Sequence, residues 1–409
     1  MKMNVKKSFL FRFFAVSLLV ILFTVEVRAD NVTELQQRLD EILSQANCQV
    51  SAEVVSAGKY DLLYSYNPQN KQIPASVTKI VTAALALTQL GLDYKFKTVV
   101  YTDDSNFKDG VINGNIYLKG YGDPDLNSSD IIYLAKQIHE KGIKEITGNI
   151  IYDESFFDNQ HYTLGYNNDT DQRYWPYVSA LNLDKNYGGY DPAYTAGELL
   201  ATDLTSLGVS FNGTVTAGTT PTQSVKQLTE VSHSIEDVLS YMNKTSNNHS
   251  AITLFKGVGA KKYGPPGTFD KGSRAAIELL TSIGCNREEF EILEGSGLTR
   301  YNYMTADMMI RLLKYLYDDE DLFNIFYNTL AIAGVDGTIQ HRMVGTEAEK
   351  NVHAKTGTIN SVSALAGYAV TRDMELLIFY ISMNGYSGSS SYYRGLQDDF
   401  CEALCQFSR

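Results

Sequence analysis

The sequence predicts an α+β (α/β) fold: one antiparallel sheet flanked by helices, a helical subdomain, and a smaller α+β domain inserted into the chain. The first part of the chain has the pattern of a helix, two strands and a helix, and the last part that of three strands and a helix. The middle has turn signals of its own. The length of 409 residues also exceeds the roughly 100–200 residues of one typical domain.

At the start, residues 31–46 have the periodicity of an amphipathic helix. The apolar residues of its buried face are Val32, Leu35, Leu39, Ile42 and Leu43. Strand-like segments follow at 49–57 and 61–66, joined by a turn at Gly58-Lys59. A second helix, predicted to begin near Pro74, completes this block.

Residues 98–229 are predicted to form the inserted accessory domain, with helical patterns near 128–142 and 193–207. Its turn signals are Asp109-Gly110, Asn113-Gly114, Gly122-Asp123-Pro124 and Asn212-Gly213. From 233 to 345 the chain is predicted to be mostly helical. Loops are expected near 257–269 and 294–300.

The last part alternates between apolar and polar residues over 351–359, 363–370 and 374–384, which predicts three consecutive strands. A helix over 394–407 follows. Because this block complements the first one, both are expected to belong to a single sheet. The predicted catalytic domain therefore comprises 30–97 and 230–409.

Residues 1–29 have the features of a signal peptide. A basic start precedes an apolar run, and Val27-Arg28-Ala29 places small residues where a signal peptidase cleaves. The alternative is an uncleaved membrane anchor, but the apolar run from Phe13 to Val25 is shorter than the roughly 20 residues that a span needs. We therefore expect export to a periplasmic or other extracytoplasmic compartment, where peripheral membrane association is one option.

The chain is acidic, with a formal net charge of −12, which disfavours nucleic acid as a partner. The four cysteines, Cys48, Cys285, Cys401 and Cys405, form no C-x-x-C, and no histidine pair has metal-ligand spacing, so no metal site is expected. A disulfide from Cys48 to Cys401 or Cys405 and buried free thiols are both compatible with the sequence. Oligomeric state is open.

A serine followed three residues later by lysine on a helix places an amine next to a hydroxyl, since positions i and i+3 share a face. A neutral lysine there can act as the base for a serine nucleophile. The spacing occurs at Ser56-Lys59, Ser76-Lys79 and Ser105-Lys108. The first spans a glycine turn and the third lies in a polar loop. Only Ser76 and Lys79 lie at the start of an apolar helix.

Lys355-Thr356-Gly357 is the only K-[ST]-G in the chain and falls within a predicted strand. Lysine and threonine on a strand edge can hold a terminal carboxylate, and glycine lets a substrate backbone approach. Taken alone, this motif is better explained by a solvated lysine at a strand edge beside a bulge. S-x-N occurs at Ser65, Ser210, Ser246 and Ser382, and only Ser246-Asn247-Asn248 follows an apolar-periodic helix.

The order S-x-x-K, S-x-N, K-T-G resembles the motif set of penicillin-binding proteins and serine β-lactamases. Over about residues 49–385 the chain is similar to the D-alanyl-D-alanine carboxypeptidase/endopeptidase family, the class C low-molecular-mass penicillin-binding proteins. The matching segments begin at Pro74, Gly120, Asp153, Gly295, Ala333 and His353. This resemblance implies a penicillin-binding, β-lactamase-like transpeptidase fold.

The resemblance also implies a serine hydrolase that acts on peptidoglycan stem peptides ending in, or cross-linked through, D-Ala-D-X. Penicillin and other β-lactam antibiotics would acylate it covalently. Ser76 would attack the carbonyl of the penultimate D-Ala, and Lys79 would take the proton of its hydroxyl. Ser246, assisted by Lys355, would return a proton to the leaving D-amino acid. Asn248 would hold Lys79 and the substrate amide.

Further residues are expected to contact the substrate. The backbone N–H groups of Ser76 and Thr358 would form the oxyanion hole, and Lys355 with Thr356 would bind the leaving carboxylate. Positions that resemble contacts of the family with the stem-peptide side chain are Asp153, Arg300 and Asn360. The mechanism requires no cofactor.

Three features differ from the usual family pattern. Asn247 stands where aspartate is common, Glu294 replaces an aspartate, and a second inserted domain of larger members is absent after Asn186. One alternative is a serine β-lactamase, disfavoured because 170 positions separate the first two motifs and no E-x-x-L-N loop occurs. The other alternative is a non-catalytic peptidoglycan-binding scaffold, which would have lost part of the motif set.

Overall fold

The computed structural model describes residues 31–168, 175–187 and 191–409. The predicted signal peptide therefore lies outside the described residues. Within these ranges, the helices are too short or too polar to cross a bilayer.

Strands and helices are distributed along the whole described chain. The strands are β1 (Gln49–Ser56), β2 (Leu62–Tyr66), β3 (Lys95–Thr102), β4 (Val111–Ile112), β5 (Ile116–Gly120), β6 (Glu145–Ile146), β7 (Ile150–Asp153), β8 (Ser210–Phe211), β9 (Val215–Ala217), β10 (Lys226–Ser234), β11 (Phe290–Glu291), β12 (Tyr303–Met304), β13 (Ala331–Ile332), β14 (Val352–Ile359), β15 (Val362–Val370) and β16 (Leu376–Asn384). The α-helices are α1 (31–44), α2 (Thr78–Leu90), α3 (Ser128–Glu140), α4 (Pro192–Ser206), α5 (Ile235–Thr245), α6 (Asn248–Tyr263), α7 (Phe269–Ser282), α8 (Ala306–Asp318), α9 (Glu320–Thr329) and α10 (Ser390–Gln406).

The main sheet is antiparallel, with the strand order β13-β14-β15-β16-β1-β2. The first and last long strands are neighbours: β1 pairs with β16 from Gln49 opposite Asn384 to Ser56 opposite Leu377. The prediction of one antiparallel sheet built from both ends of the chain is confirmed. Strand β13 could not be predicted, because two residues are too few to show a periodicity.

Both faces of this sheet are covered, and strand β16 shows how. Phe379 and Ile381 belong to the core beneath α1 and α10, whereas Ile378 and Tyr380 belong to the core that contains α2 and α8. Successive side chains of a strand point to opposite faces, so one strand serves two cores. Burial of each such side chain contributes about 1.5–3 kcal/mol.

Helix α6 corrects one prediction, the loop near 257–269. The helix continues to Tyr263, and only the residues between it and α7 form a loop. Gly259, inside this helix, permits close packing against α7. A Cβ on Gly259 would lie 2.8 Å from Lys271 Cβ and 2.9 Å from the Gly272 nitrogen of α7.

A second, mixed sheet has the order β10-β3-β5-β7-β9, and a small parallel sheet has the order β4-β6-β8. Helices α3 and α4 pack on them around a separate apolar core. The predicted domain borders at 97/98 and 229/230 fall inside β3 and β10, which pair with each other from Lys95 opposite Ser234 to Thr102 opposite Lys226.

All four cysteines are free thiols, and Cys285, Cys401 and Cys405 are buried.

Candidate active site

Ser76 lies on a 3-10 turn, Ala75–Val77, that leads directly into α2. The sequence predicted that a regular helix would begin near Pro74, and the structure replaces its first turn with this tighter one. Ala75 has a φ of +47°, a conformation that costs a non-glycine residue about 1–2 kcal/mol. Ala75 and Val77 are buried while Ser76 is only partly so, which directs its hydroxyl to the surface of the cleft.

Two glycines, one in a loop and one in strand β14, approach this turn closely. A Cβ on Gly297 would lie 1.8 Å from the Ala75 carbonyl oxygen, and one on Gly357 would lie 2.4 Å from the Pro74 oxygen and 3.2 Å from the Ser76 nitrogen. Gly357 was expected to make room for a substrate backbone. Its missing side chain instead makes room for the turn of the protein itself, and strand β14 thereby approaches Ser76.

The Lys79 amine is fully buried and has three oxygen neighbours. Nζ lies 2.9 Å from Ser76 Oγ, 2.8 Å from Asn248 Oδ1 and 2.7 Å from the Ser296 carbonyl oxygen. The amide and carbonyl oxygens can only accept. A neutral amine has two N–H groups and one lone pair, so donation to these two acceptors leaves the lone pair for the Ser76 hydroxyl.

Burial lowers the pKa of the Lys79 amine from 10.5 to about 7, and the negative charge of Glu294 opposes part of that shift. Burial also places the pKa of the Lys355 amine well below its ordinary value, with the charge of Lys79 acting in the same direction. The cause in both cases is that water is excluded from the charged form. Both amines therefore become neutral far more readily than a surface lysine.

The S-x-N motif is the junction of two helices. Helix α5 ends at Ser246, whose φ of 58° and ψ of 37° turn the chain. Asn247 is the N-cap of α6, and its side chain accepts a hydrogen bond from the Ser250 backbone N–H. Asn248 is the first residue of α6, so its amide is aimed at Lys79. An aspartate at 247 would cap the helix equally well, which explains why the substitution preserves the geometry.

Lys355 lies on β14 and is fully buried, which contradicts the alternative of a solvated lysine at a strand edge. Its Nζ is 2.9 Å from Ser246 Oγ and 2.8 Å from the Thr356 carbonyl oxygen. Thr356 Oγ1 lies 2.8 Å from Thr338 Oγ1, and Thr358 is exposed further along the strand. The strand thus presents an amine and hydroxyls next to the turn of Ser76.

The predicted stem-peptide contacts do not all form one surface. Asp153 is fully buried, and its carboxylate accepts from Lys119 Nζ at 2.9 Å and from the backbone N–H groups of Ser155 and Thr220. Burial raises its pKa, but the hydrogen bonds from Ser155, Thr220 and Lys119 outweigh that effect and lower it. Because these partners occupy the carboxylate, direct contact with a substrate is not supported for Asp153.

Arg300 and Asn360 are brought together at the rim of the site. Arg300 Nη1 donates to the Asn360 carbonyl oxygen at 2.8 Å, and both side chains are exposed. They are therefore free to meet a ligand, unlike Asp153.

Sequence reasoning missed two contributors to the site. The carbonyl oxygen of Ser296 is a partner of Lys79, and the hydroxyl of Thr338 is a partner of Thr356. Both lie in segments that carry the family resemblance, but a backbone oxygen has no sequence signal. A third contact, from Asn247 Nδ2 to the hydroxyl of exposed Tyr187 at 3.0 Å, comes from a residue that no motif marks.

The fold and the two serine–lysine pairs define a class of protein. Ser76 with Lys79, and Ser246 with Lys355, each place a hydroxyl 2.9 Å from a buried amine, the contact that a serine nucleophile and its base require. This is the arrangement of the active-site serine acyl-transfer enzymes that penicillin acylates.

The chain belongs to the D-Ala-D-Ala carboxypeptidase 3 (S13) family, which matches residues 35–190 and 189–399. It is 27% identical to the D-alanyl-D-alanine carboxypeptidase DacB of Haemophilus influenzae, covering 90% of this chain and 91% of that one. It is 28% identical to a D-alanyl-D-alanine carboxypeptidase of Actinomadura sp. (strain R39), covering 92% and 85%. The crystal structure of penicillin binding protein 4 (dacB) from H. influenzae superposes with a TM-score of 0.79 at 26% identity, covering 91% of this chain and 98% of that one. That protein has also been solved in complex with a β-lactam.

Proposed function

We propose that Ser76 is the nucleophile of this serine D-Ala-D-Ala carboxypeptidase/endopeptidase and that Lys79 is its base. Ser76 Oγ attacks the carbonyl carbon of the penultimate D-Ala while its proton passes to the Lys79 lone pair. The peptide bond then breaks, and the leaving amine takes a proton from the Ser246 hydroxyl, to which Lys355 returns one. The proton that Lys79 accepted from Ser76 restores the one that Lys355 gave, so the net transfer runs from Ser76 to the leaving amine. The observation that carries this proposal is the buried Lys79 amine, 2.9 Å from Ser76 Oγ and bonded elsewhere only to acceptors.

The remaining roles follow the same geometry. Asn248 orients Lys79 and binds the substrate amide, and the backbone N–H groups of Ser76 and Thr358 stabilise the oxyanion. Lys355, in its protonated form, and Thr356 bind the carboxylate of the leaving residue, since an ammonium group beside hydroxyls favours an anion. Water then hydrolyses the acyl-enzyme. Arg300 and Asn360 contact the stem-peptide side chain from the rim.

The labelling experiment uses fluorescent penicillin on wild type, Ser76→Ala and the matched control Ser56→Ala. Ser56 also precedes a lysine by three residues but lies on β1. We expect one adduct, mapped by mass spectrometry to the peptide containing Ser76, which only Ser76→Ala abolishes. An adduct on another peptide would refute the assignment of the nucleophile.

The substrate experiment measures products from two muropeptides. Release of D-Ala from a pentapeptide identifies carboxypeptidase activity, and cleavage of a cross-linked dimer identifies endopeptidase activity. The pentapeptide has a carboxylate next to the scissile bond, which Lys355 is placed to bind. A β-lactamase would instead shed the penicilloyl group rapidly, and a scaffold would release no product.

We also propose that residues 1–29 direct export and are removed, and that the enzyme works in the periplasm or another extracytoplasmic space. The basic, apolar start of the chain supports this. The accessory domain is proposed to extend from β3 to β10, residues 95–234, because those strands pair in register. N-terminal sequencing of the secreted protein tests the cleavage site.

A further inference from the structure

Glu294 is a buried carboxylate next to the site that the proposed mechanism does not use. It has no exposed surface, and its oxygens accept from the Ser296 N–H at 2.7 Å, the Ser296 hydroxyl at 2.5 Å and the Gly297 N–H at 2.6 Å. Asn302 Nδ2 donates to it at 3.2 Å. Its partners are all donors, which is the pattern that an ionised carboxylate satisfies.

The turn that Glu294 organises is bonded directly to α2. Lys79 Nζ donates to the Ser296 carbonyl oxygen at 2.7 Å, and Thr82 Oγ1 donates to the Gly295 carbonyl oxygen at 2.7 Å. The carboxylate and the amine are therefore on either side of one residue, Ser296, in a region from which water is excluded. Charges interact strongly across such a short buried path.

The other titratable groups near the amine differ in sign or are neutral. From β14 comes Lys355, a second cation, and from α6 comes His249, whose pKa burial lowers to about 3. His249 Nε2 is 3.0 Å from Asn182 Oδ1, away from Lys79. Within the described residues, Glu294 is the carboxylate that acts on Lys79, and without it two buried amines would share a site with no compensating charge.

We propose that Glu294 is a positioning residue whose negative charge sets the pH range over which Lys79 acts as the base. This inference rests on the proposed role of Lys79. The carboxylate holds the turn that presents the Ser296 oxygen and favours the protonated amine. Loss of the charge therefore moves the deprotonation of Lys79 to lower pH, even though it also weakens the turn.

The test is the pH profile of the acylation rate with fluorescent penicillin. Wild type is expected to lose rate on the acid side as Lys79 becomes protonated. In Glu294→Gln this acid limb is expected to move down by about one pH unit, the size of shift that a neighbouring charge produces. Glu294→Asp keeps the charge and is expected to keep the limb. Ser296→Ala removes a hydrogen bond without changing charge and is expected to lower the rate without moving the limb.

Glutamine places an amide donor against existing donors, so thermal unfolding must show that the variant folds. Glu294→Ala removes the same charge and leaves space for water to satisfy the donors. An acid limb that stays at its wild-type pH in both neutral variants overturns the proposal. Failure of both neutral variants to fold while Glu294→Asp folds also overturns it, because the carboxylate then serves the turn alone. A wild-type profile with no acid limb, or labelling that survives in Ser76→Ala, would instead refute the proposed function.

Discussion

At the scale of single residues, the central chemical problem is a lysine that has to be neutral. The Lys79 amine is fully buried, donates hydrogen bonds to two oxygens that can only accept, and directs its lone pair at Ser76. Three residues from different parts of the chain, Asn248, Ser296 and Ser76, thus fix both its position and the direction of its lone pair.

Replacement of Lys79 by arginine is expected to reduce the acylation rate by about 10²–10⁴-fold, the usual contribution of a general base, because a guanidinium stays protonated. The measurement is the second-order rate constant for fluorescent penicillin. The control is Lys59→Arg, at the lysine that follows Ser56 with the same three-residue spacing. Lys59 is exposed and pairs with Glu375, so it is expected to keep the wild-type rate.

The wild-type acylation rate is expected to fall about tenfold per pH unit below pH about 7, the pKa to which burial lowers Lys79. The sign follows from the base: acid adds a proton to the amine and removes the lone pair that Ser76 needs. Stopped-flow acylation across pH 5 to 9, on protein shown by circular dichroism to stay folded, measures this. A rate that is constant down to about pH 5 would contradict it.

At the scale of elements, the site depends on a strand and a loop that approach one 3-10 turn. Gly357→Ala would place a Cβ 2.4 Å from the Pro74 oxygen, so β14 or the turn has to move. We expect loss of acylation by more than tenfold together with a lower melting temperature. Gly395→Ala is the control.

Gly395 lies within α10, and no described neighbour would come within 4 Å of its added Cβ. Alanine is the better helix former, so this control is expected to be neutral or stabilising by up to about 1 kcal/mol. Equal melting temperatures for Gly357→Ala and wild type would show that the contact has no structural role.

Many of the strands and helices could be predicted from the sequence. Alternation identified β14, β15 and β16, and the helix that follows Pro74 was identified by its apolar run. The 3-10 turn at Ala75–Val77 could not be, because it is imposed by loops distant in sequence. The donors that surround the Asp153 carboxylate were missed for the same reason, since Lys119 and Thr220 come into contact with it only through tertiary packing.

At the scale of the molecule, helix α6 and the segment that follows β7 of the mixed sheet are joined by a buried cation. Lys256 of α6 has no exposed surface, donates to the Gln160 carbonyl oxygen at 2.8 Å and lies 2.7 Å from Asp158. Burial lowers its pKa, and the hydrogen bond to Asp158 opposes that effect. This contact fixes the segment after Asp153 against the helix that begins at Asn248.

Lys256→Met removes the charge but keeps the volume, and leaves partly exposed Asp158 without its partner. We expect a loss of about 2 kcal/mol in the free energy of unfolding, less than for a fully buried pair. Urea denaturation provides the measurement. Lys97→Met, which breaks a half-exposed pair with Glu230, is the matched control and is expected to cost less than about 1 kcal/mol. Equal losses in the two variants would contradict the anchoring role.

The adjacency of β1 and β16 has a consequence for the order in which the molecule matures. A ribosome makes Gln49–Ser56 more than three hundred residues before Leu376–Asn384, so the first strand waits without a neighbour on that side until synthesis is nearly finished. The strands from β3 to β10, within residues 95–234, pair with one another in the described chain and can acquire structure much earlier. Truncation ahead of Leu376 should consequently yield a chain with a folded accessory domain and no penicillin labelling.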